Sequence, residues 1–310
     1  MTKKIEHKLL KIPVVRILVK LAMRIKIPGM QGMSLYDLLE MYIIGIINGA
    51  LTSRAGAIAF SFFMALFPFL LFILTLIPIL NIDGLQDYFM AFLKESLPPT
   101  TADAVDDVVN DIFTNRYSGL LSFGFLTTIF LMTNGVNAIF GGFEYSYHVK
   151  KTRNMFKQFM VAMGVSIILS LLLLFTIAAM IYFQVLISDL KGYGWLSDDV
   201  FWIEFGRVIF LVMMIYTGIS ILYNYGVKGL TKRSFFSSGA VLTTLLTLLM
   251  FYLFGIYVEK FAQYNKLYGS IGTLLILMLF IWLNSIILLL GFELNASMNR
   301  LRLKHKIEKK

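Results

Sequence analysis

Not one of the 310 residues is cysteine, which removes disulfide staples, thiolate metal sites, cysteine nucleophiles and redox pairs from consideration. Charge is scarce as well: 15% of the residues are Asp, Glu, Lys or Arg, against roughly 25% in a soluble domain. A chain so short of charge has little water-facing surface to populate. The three histidines, His7, His148 and His305, stand far apart, with no spacing that holds a metal. There is no GxSxG elbow, no glycine-rich phosphate loop ending in Lys-Ser/Thr, and no pair of carboxylates within one apolar run. Neither catalysis nor a bound cofactor is expected.

What is present is hydrocarbon: 58% of the residues are hydrophobic and the mean hydropathy is +0.77. Crossing a hydrocarbon core of roughly 30 Å takes about 20 apolar residues as a helix. Six runs are long enough, at 55–80, 120–140, 159–187, 200–223, 235–258 and 269–296. Within lipid only a helix or a closed barrel satisfies its own backbone, and these runs lack the alternation of a barrel strand. The expectation is an all-α polytopic membrane protein with six transmembrane helices. The run from Met41 to Leu51 is too short to span alone.

Orientation follows from Lys and Arg, which gather in cytoplasmic loops. Most of the 28 basic residues fall in the N-terminal segment, in the second connection (Lys150, Lys151, Arg153, Lys157), in the fourth (Lys228, Lys232, Arg233) and in the tail. The other side is acidic, with Asp83, Asp87, Glu95, Asp103, Asp106, Asp107 and Asp111 in the first connection and Asp189, Asp198 and Asp199 in the third. An even number of spans places both basic termini in the cytoplasm. The chain thus divides into a basic amphipathic segment at 1–53, a transmembrane domain at 54–298 and a basic tail at 299–310. The first segment lacks a compact apolar stretch and a small-residue cleavage site, so it is read as retained. The net charge of +10 is explained by this topology and by anionic headgroups, and no nucleic-acid partner is expected.

Two segments outside the spans carry apolar stripes. Val14, Ile17, Leu18, Leu21 and Ile25 recur at helical spacing opposite Arg16, Lys20 and Arg24, the pattern of a helix lying among headgroups or packed beneath the bundle. Pro28-Gly29 ends it, and Ser34 with Asp37 reads as a capping box for a second short helix. On the acidic side, Leu85, Tyr88, Phe89, Phe92 and Leu93, then Val105, Val108, Val109, Ile112 and Phe113, form two stripes around Pro98-Pro99. They predict a periplasmic helical cap over 81–118 that buries its apolar faces against bilayer, bundle or an envelope protein.

Charged residues in a span cost about 2.5–3.5 kcal/mol at its centre and are therefore functional candidates. Arg54 opens the first span and Glu293 lies near the end of the sixth, at a depth where the two can meet. Arg207 lies inside the outer end of the fourth, and Glu204, three residues before it, can pair with it. Pro68 and Pro78 fall within the first span, each deleting a backbone hydrogen bond, and predict a kink or a break. Thr127, Thr128, Thr133, Asn134 and Asn137 make the inner half of the second span polar, either to hold helices together or to line a cavity.

Three stretches resemble the YihY/BrkB family of bacterial inner-membrane proteins. They are Arg54-Ala55-Gly56-Ala57-Ile58-Ala59-Phe60 with Leu66-Phe67-Pro68; Tyr223-Asn224-Tyr225-Gly226; and Tyr268-Gly269-Ser270-Ile271-Gly272 through Trp282 to Leu290-Gly291-Phe292-Glu293-Leu294-Asn295-Ala296. The resemblance covers roughly 54–296 and implies a six-helix inner-membrane bundle, with Asn295 of the closing motif among the candidate site residues. Phe292 departs from it, standing where the family commonly has Ala. The family carries an old ribonuclease label, which no clustered His/Asp site in this sequence supports.

The basic interfacial segment, the acidic cap and the few buried charges fit a transporter-like protein handling an anionic lipid or a lipid-linked envelope component. The alternatives are a cation/proton antiporter built on Glu293 and Arg54, and a non-transporting scaffold that docks an envelope protein.

Overall fold

The computed structural model describes residues 21–26, 34–36, 50–80, 118–146, 153–192, 199–228, 235–261 and 270–308. Each predicted span is a helix: α1 Ala50–Leu80, α2 Ser118–Glu144, α3 Met155–Gly192, α4 Asp199–Gly226, α5 Ser238–Phe261 and α6 Ser270–Glu308. Five of them, α2 to α6, are long and apolar enough over their described residues to cross a bilayer. The described apolar stretch of α1 is shorter, Leu51–Leu66, although the helix itself runs for 31 residues. The chain is an all-α, multi-pass membrane protein, with five spans supported by length and composition where the sequence predicts six.

Several helices outrun the bilayer. With 39 residues, α6 is about 58 Å long, so the predicted tail at 299–310 is largely a continuation of that helix, through Glu308, rather than a separate segment. Nor is α1 broken at its prolines: it continues through Pro68 and Pro78 to Leu80. Near the first of these, Thr128 Oγ1 of α2 donates to Pro68 O at 2.7 Å, a bond that ties α2 to α1 beside the proline.

In chain order each helix packs on the next, and α6 returns to α1, so the six close a ring whose sparsest seam lies between α4 and α5. Alternating direction brings the start of α1, the end of α2, the start of α3, the end of α4, the start of α5 and the far half of α6 to one end. That end carries Arg54, Arg153, Lys157 and Lys228 and is called the basic end below. The densest packing is there: Leu51, Ile58, Ile139, Phe140, Phe143, Tyr223, Leu289 and Phe292 belong to one buried cluster. Toward the other end large apolar side chains such as Phe123, Phe175 and Tyr252 face outward, as lipid-solvated helices allow.

Of the N-terminal segment, residues 21–24 are helical, and Leu35 N donates to Ile25 O at 2.9 Å as the chain returns. Leu21 and Ile25, on the predicted apolar stripe, are exposed, whereas Ala22 is buried. Ser34 is buried at the start of the helical residues 35–36. Residues 50–53 of that segment form the first turn of α1, and its remainder and the acidic cap at 81–117 lie outside the described residues.

Candidate functional site

Arg54, in the second turn of α1, reaches two other helices. Its Nη1 donates to Gly142 O at 2.8 Å, and Nη1 and Nη2 both approach Glu293 Oε1 of α6 at 3.4 Å. Gly142 contributes one of the last four carbonyls of α2, which lack helical partners and carry the negative end of the helix dipole. The other carboxylate oxygen is occupied as well: Ser146 Oγ, just past the end of α2, donates to Glu293 Oε2 at 2.6 Å. The Arg54 and Glu293 side chains are only 13% and 14% exposed, so water screens the pair little. The expected meeting of Arg54 and Glu293 is present, and Ser146 makes it a three-way clasp of α1, α2 and α6.

The helices come this close because of Gly142, where an added Cβ would stand 3.0 Å from Leu289 and 3.2 Å from Ile58. Beside the clasp lies an aromatic stack. Phe292 is 1% exposed and stacks on Phe143, with ring centroids 4.0 Å apart and planes 8° from parallel. Tyr223 meets both rings edge-on at 5.6 and 5.9 Å, a favoured arrangement for aromatic quadrupoles. Gly226 makes room for Phe143, since a Cβ on it would overlap that ring. The bulk at Phe292 therefore fills the junction of α2, α4 and α6.

Asn295 acts on α5. Its Oδ1 accepts from Gly239 N at 2.8 Å and its Nδ2 donates to Ser237 Oγ at 2.9 Å, while Ser237 Oγ accepts from Ala240 N at 3.2 Å. Together Ser237 and Asn295 satisfy the first free amides of α5, one from its own cap position and one from α6. Gly239 and Gly291 permit this approach, because a Cβ on Gly291 would collide with Thr243 Oγ1. Arg153 joins the remaining pair of helices: its Nη1 donates to Tyr225 O at 2.7 Å and Gly226 O at 3.1 Å at the end of α4, and its amide donates to Glu144 Oε1 at 3.1 Å. Every helix is thus tied into the basic end.

Above this closure lies an open-mouthed chamber of about 380 Å³, lined by residues of all six helices, among them Ile58, Ile139, Leu172, Ile215, Leu222 and Leu288. Thr243, Thr247, Asn284 and Ser285 are the polar side chains in its wall. Neither Asn134 nor Asn137 lines it; both are half-buried on α2. Pro68 is not in the wall either. Arg207 is exposed on α4 and does not pair with Glu204; its Nη2 donates across to Gln184 Oε1 of α3 at 3.4 Å. The clasp therefore unites Arg54 and Glu293 with Asn295 close by in sequence, and leaves Asn134, Asn137 and Arg207 apart. Ser146, Arg153 and Asn284 were missed. Arg153 enters the sequence reading only as a marker of topology, and no spacing rule joins Ser146 to a residue of α6. Among the described residues no group of three His, Asp or Glu side chains could hold a metal.

A family model described as "Virulence factor BrkB" matches residues 46–310. The chain is similar to the "Putative ribonuclease-like protein YfkH" of Bacillus subtilis, at 30% identity over 80% of this chain and 90% of that protein. It is also similar to UPF0761 membrane proteins of Aggregatibacter aphrophilus (23% identity, 81% and 88% of the two chains) and Kangiella koreensis (24%, 83% and 63%). No solved structure matches.

Proposed function

Because this chain belongs to the virulence factor BrkB family of membrane proteins, we propose that it is a transporter-like protein of the bacterial inner membrane that handles an anionic lipid or a lipid-linked envelope component. In this reading both termini and the basic end face the cytoplasm, where Lys and Arg attract anionic headgroups. The observation that carries it is the chamber: a space of about 380 Å³ lined almost wholly by apolar side chains and lying above the packed basic end. Such a space suits a hydrocarbon chain, whose burial there costs nothing in desolvation, and suits a hydrated ion poorly.

Glu293 is the natural carrier for the competing reading, cation/proton exchange. Both its oxygens are engaged, by Arg54 and by Ser146, and this favours a structural clasp over a proton shuttle. The test uses proteoliposomes in which an anionic lipid carries a headgroup reporter that a membrane-impermeant reductant bleaches. The protein is expected to speed loss of the inner-leaflet signal above that of protein-free vesicles. An unchanged rate, together with Na⁺ movement driven by a pH gradient and abolished by Glu293→Gln, would replace this reading with exchange.

A further inference from the structure

Asn284 stands in the chamber wall with its Oδ1 buried and without a hydrogen-bond partner among the described residues. Its Nδ2 donates to Phe280 O at 2.9 Å within α6, which settles the orientation of the amide: reversed, it would set Oδ1 against another carbonyl oxygen. An acceptor left without a donor is costly anywhere, and more so in hydrocarbon where no water competes for it. Two of the other polar side chains in the wall have committed their protons elsewhere. Ser285 Oγ gives its own to Ile281 O at 2.8 Å. Tyr223 gives its single hydroxyl proton to Leu288 O at 2.7 Å, so in the 2.6 Å contact between Tyr223 and Thr243 the donor is Thr243. Among the described lining residues three of the four polar side chains thus present lone pairs, the Thr247 hydroxyl is the one left able to donate, and none is charged.

We propose that the chamber is a binding site for a single hydrocarbon chain bearing an uncharged hydrogen-bond donor, a hydroxyl above all, with Asn284 Oδ1 as its acceptor. The class follows from what the wall refuses. A phosphate or carboxylate would meet three acceptors, one hydroxyl and no cation among the described lining residues, and an ammonium would be desolvated without a counter-charge. A hydroxyl gives its proton to Oδ1 and leaves nothing unpaired. At about 380 Å³ the chamber is near the lower end of small-molecule pockets, roughly 300–1,000 Å³, and takes one chain rather than a two-chain lipid. This goes beyond the transport reading, because it asks only for binding; the charged group of any transported amphiphile stays outside the chamber.

The test irradiates purified full-length protein in nanodiscs with a long-chain primary alcohol that carries a diazirine near mid-chain. The carboxylate and the trimethylammonium of the same chain are run in parallel, and labelled peptides are mapped. The alcohol is expected to label wall residues such as Ile215 and Leu288 saturably, and the two ions are not. Asn284→Leu, which keeps the size and removes the orphan oxygen, should raise the half-saturating alcohol concentration about fivefold, the worth of one hydrogen bond. Gly218→Leu should abolish wall labelling by filling the space; its Cβ has only ordinary contacts, the nearest to Leu169 at 3.6 Å, so the backbone accepts a side chain. Equal labelling by all three head groups, an unchanged half-saturation in Asn284→Leu, or label confined to outward residues such as Phe175 would overturn the proposal. Because binding is read without transport, the result stands whichever way the lipid-transfer measurement falls.

Discussion

Glu293 has two oxygens and both are bonded, one to Arg54 and one to Ser146, in a setting where each side chain is about one-seventh exposed. Removing one member of such a pair strands the other. Glu293→Leu alone is expected to cost about 3 kcal/mol, the lower end for breaking a buried pair, whereas Arg54→Met with Glu293→Leu should recover most of it. Thermal unfolding in detergent reads both, with Arg54→Met alone completing the cycle; a Tm loss in the double variant equal to the sum of the two single losses would mean the pair is not coupled. Phe292→Ala, which empties the space between Phe143 and Tyr223, should cost a further about 3 kcal/mol by the same measurement. The sequence made Arg54 and Glu293 legible because an ionised group in a span is anomalous by itself. Ser146 and Asn284 carry no such mark, since Ser and Asn are common in membrane helices and only three-dimensional contact tells which of them is engaged.

At the level of the helix, the junction of α5 and α6 rests on two glycines and one amide. Asn295→Ala removes the acceptor for Gly239 N and is expected to raise amide exchange at residues 239–241 while lowering stability by about 1 kcal/mol, as loss of a helix cap does. Unchanged exchange there would mean that another group caps α5. Gly291→Ala places a methyl against Thr243 Oγ1 and Tyr223 OH, so α5 and α6 must separate; aggregated or dissociated material in size-exclusion chromatography is the expected outcome, and a wild-type profile would contradict it. The helices themselves were legible, because an apolar run of some 20 residues has few structural options in lipid. Their ends were less so. Polar and basic residues extend α3 and α6 well past the apolar runs, since a helix need not stop where the membrane does. The prolines point to a kink or break because composition shows the missing amides, and only the folded chain shows α1 continuing through both.

Among the described residues of the whole molecule the buried cluster and the ties between helices gather at the basic end, with the chamber above them. None of this was visible in composition, because helices that are apolar all round do not reveal which face meets a neighbour and which meets lipid. The asymmetry separates the two transport chemistries. A path for ions must be wetted, whereas a site for hydrocarbon must not be.

A chain free of cysteine allows this to be asked directly. Ser285→Cys places one thiol in the chamber wall, and Ser53→Cys places one at the exposed basic end as a control. In membrane vesicles of known orientation, a membrane-impermeant thiol reagent should modify Ser53→Cys from the cytoplasmic side and leave Ser285→Cys untouched from both sides. Modification of Ser285→Cys from either aqueous side would show a wetted chamber and contradict the account.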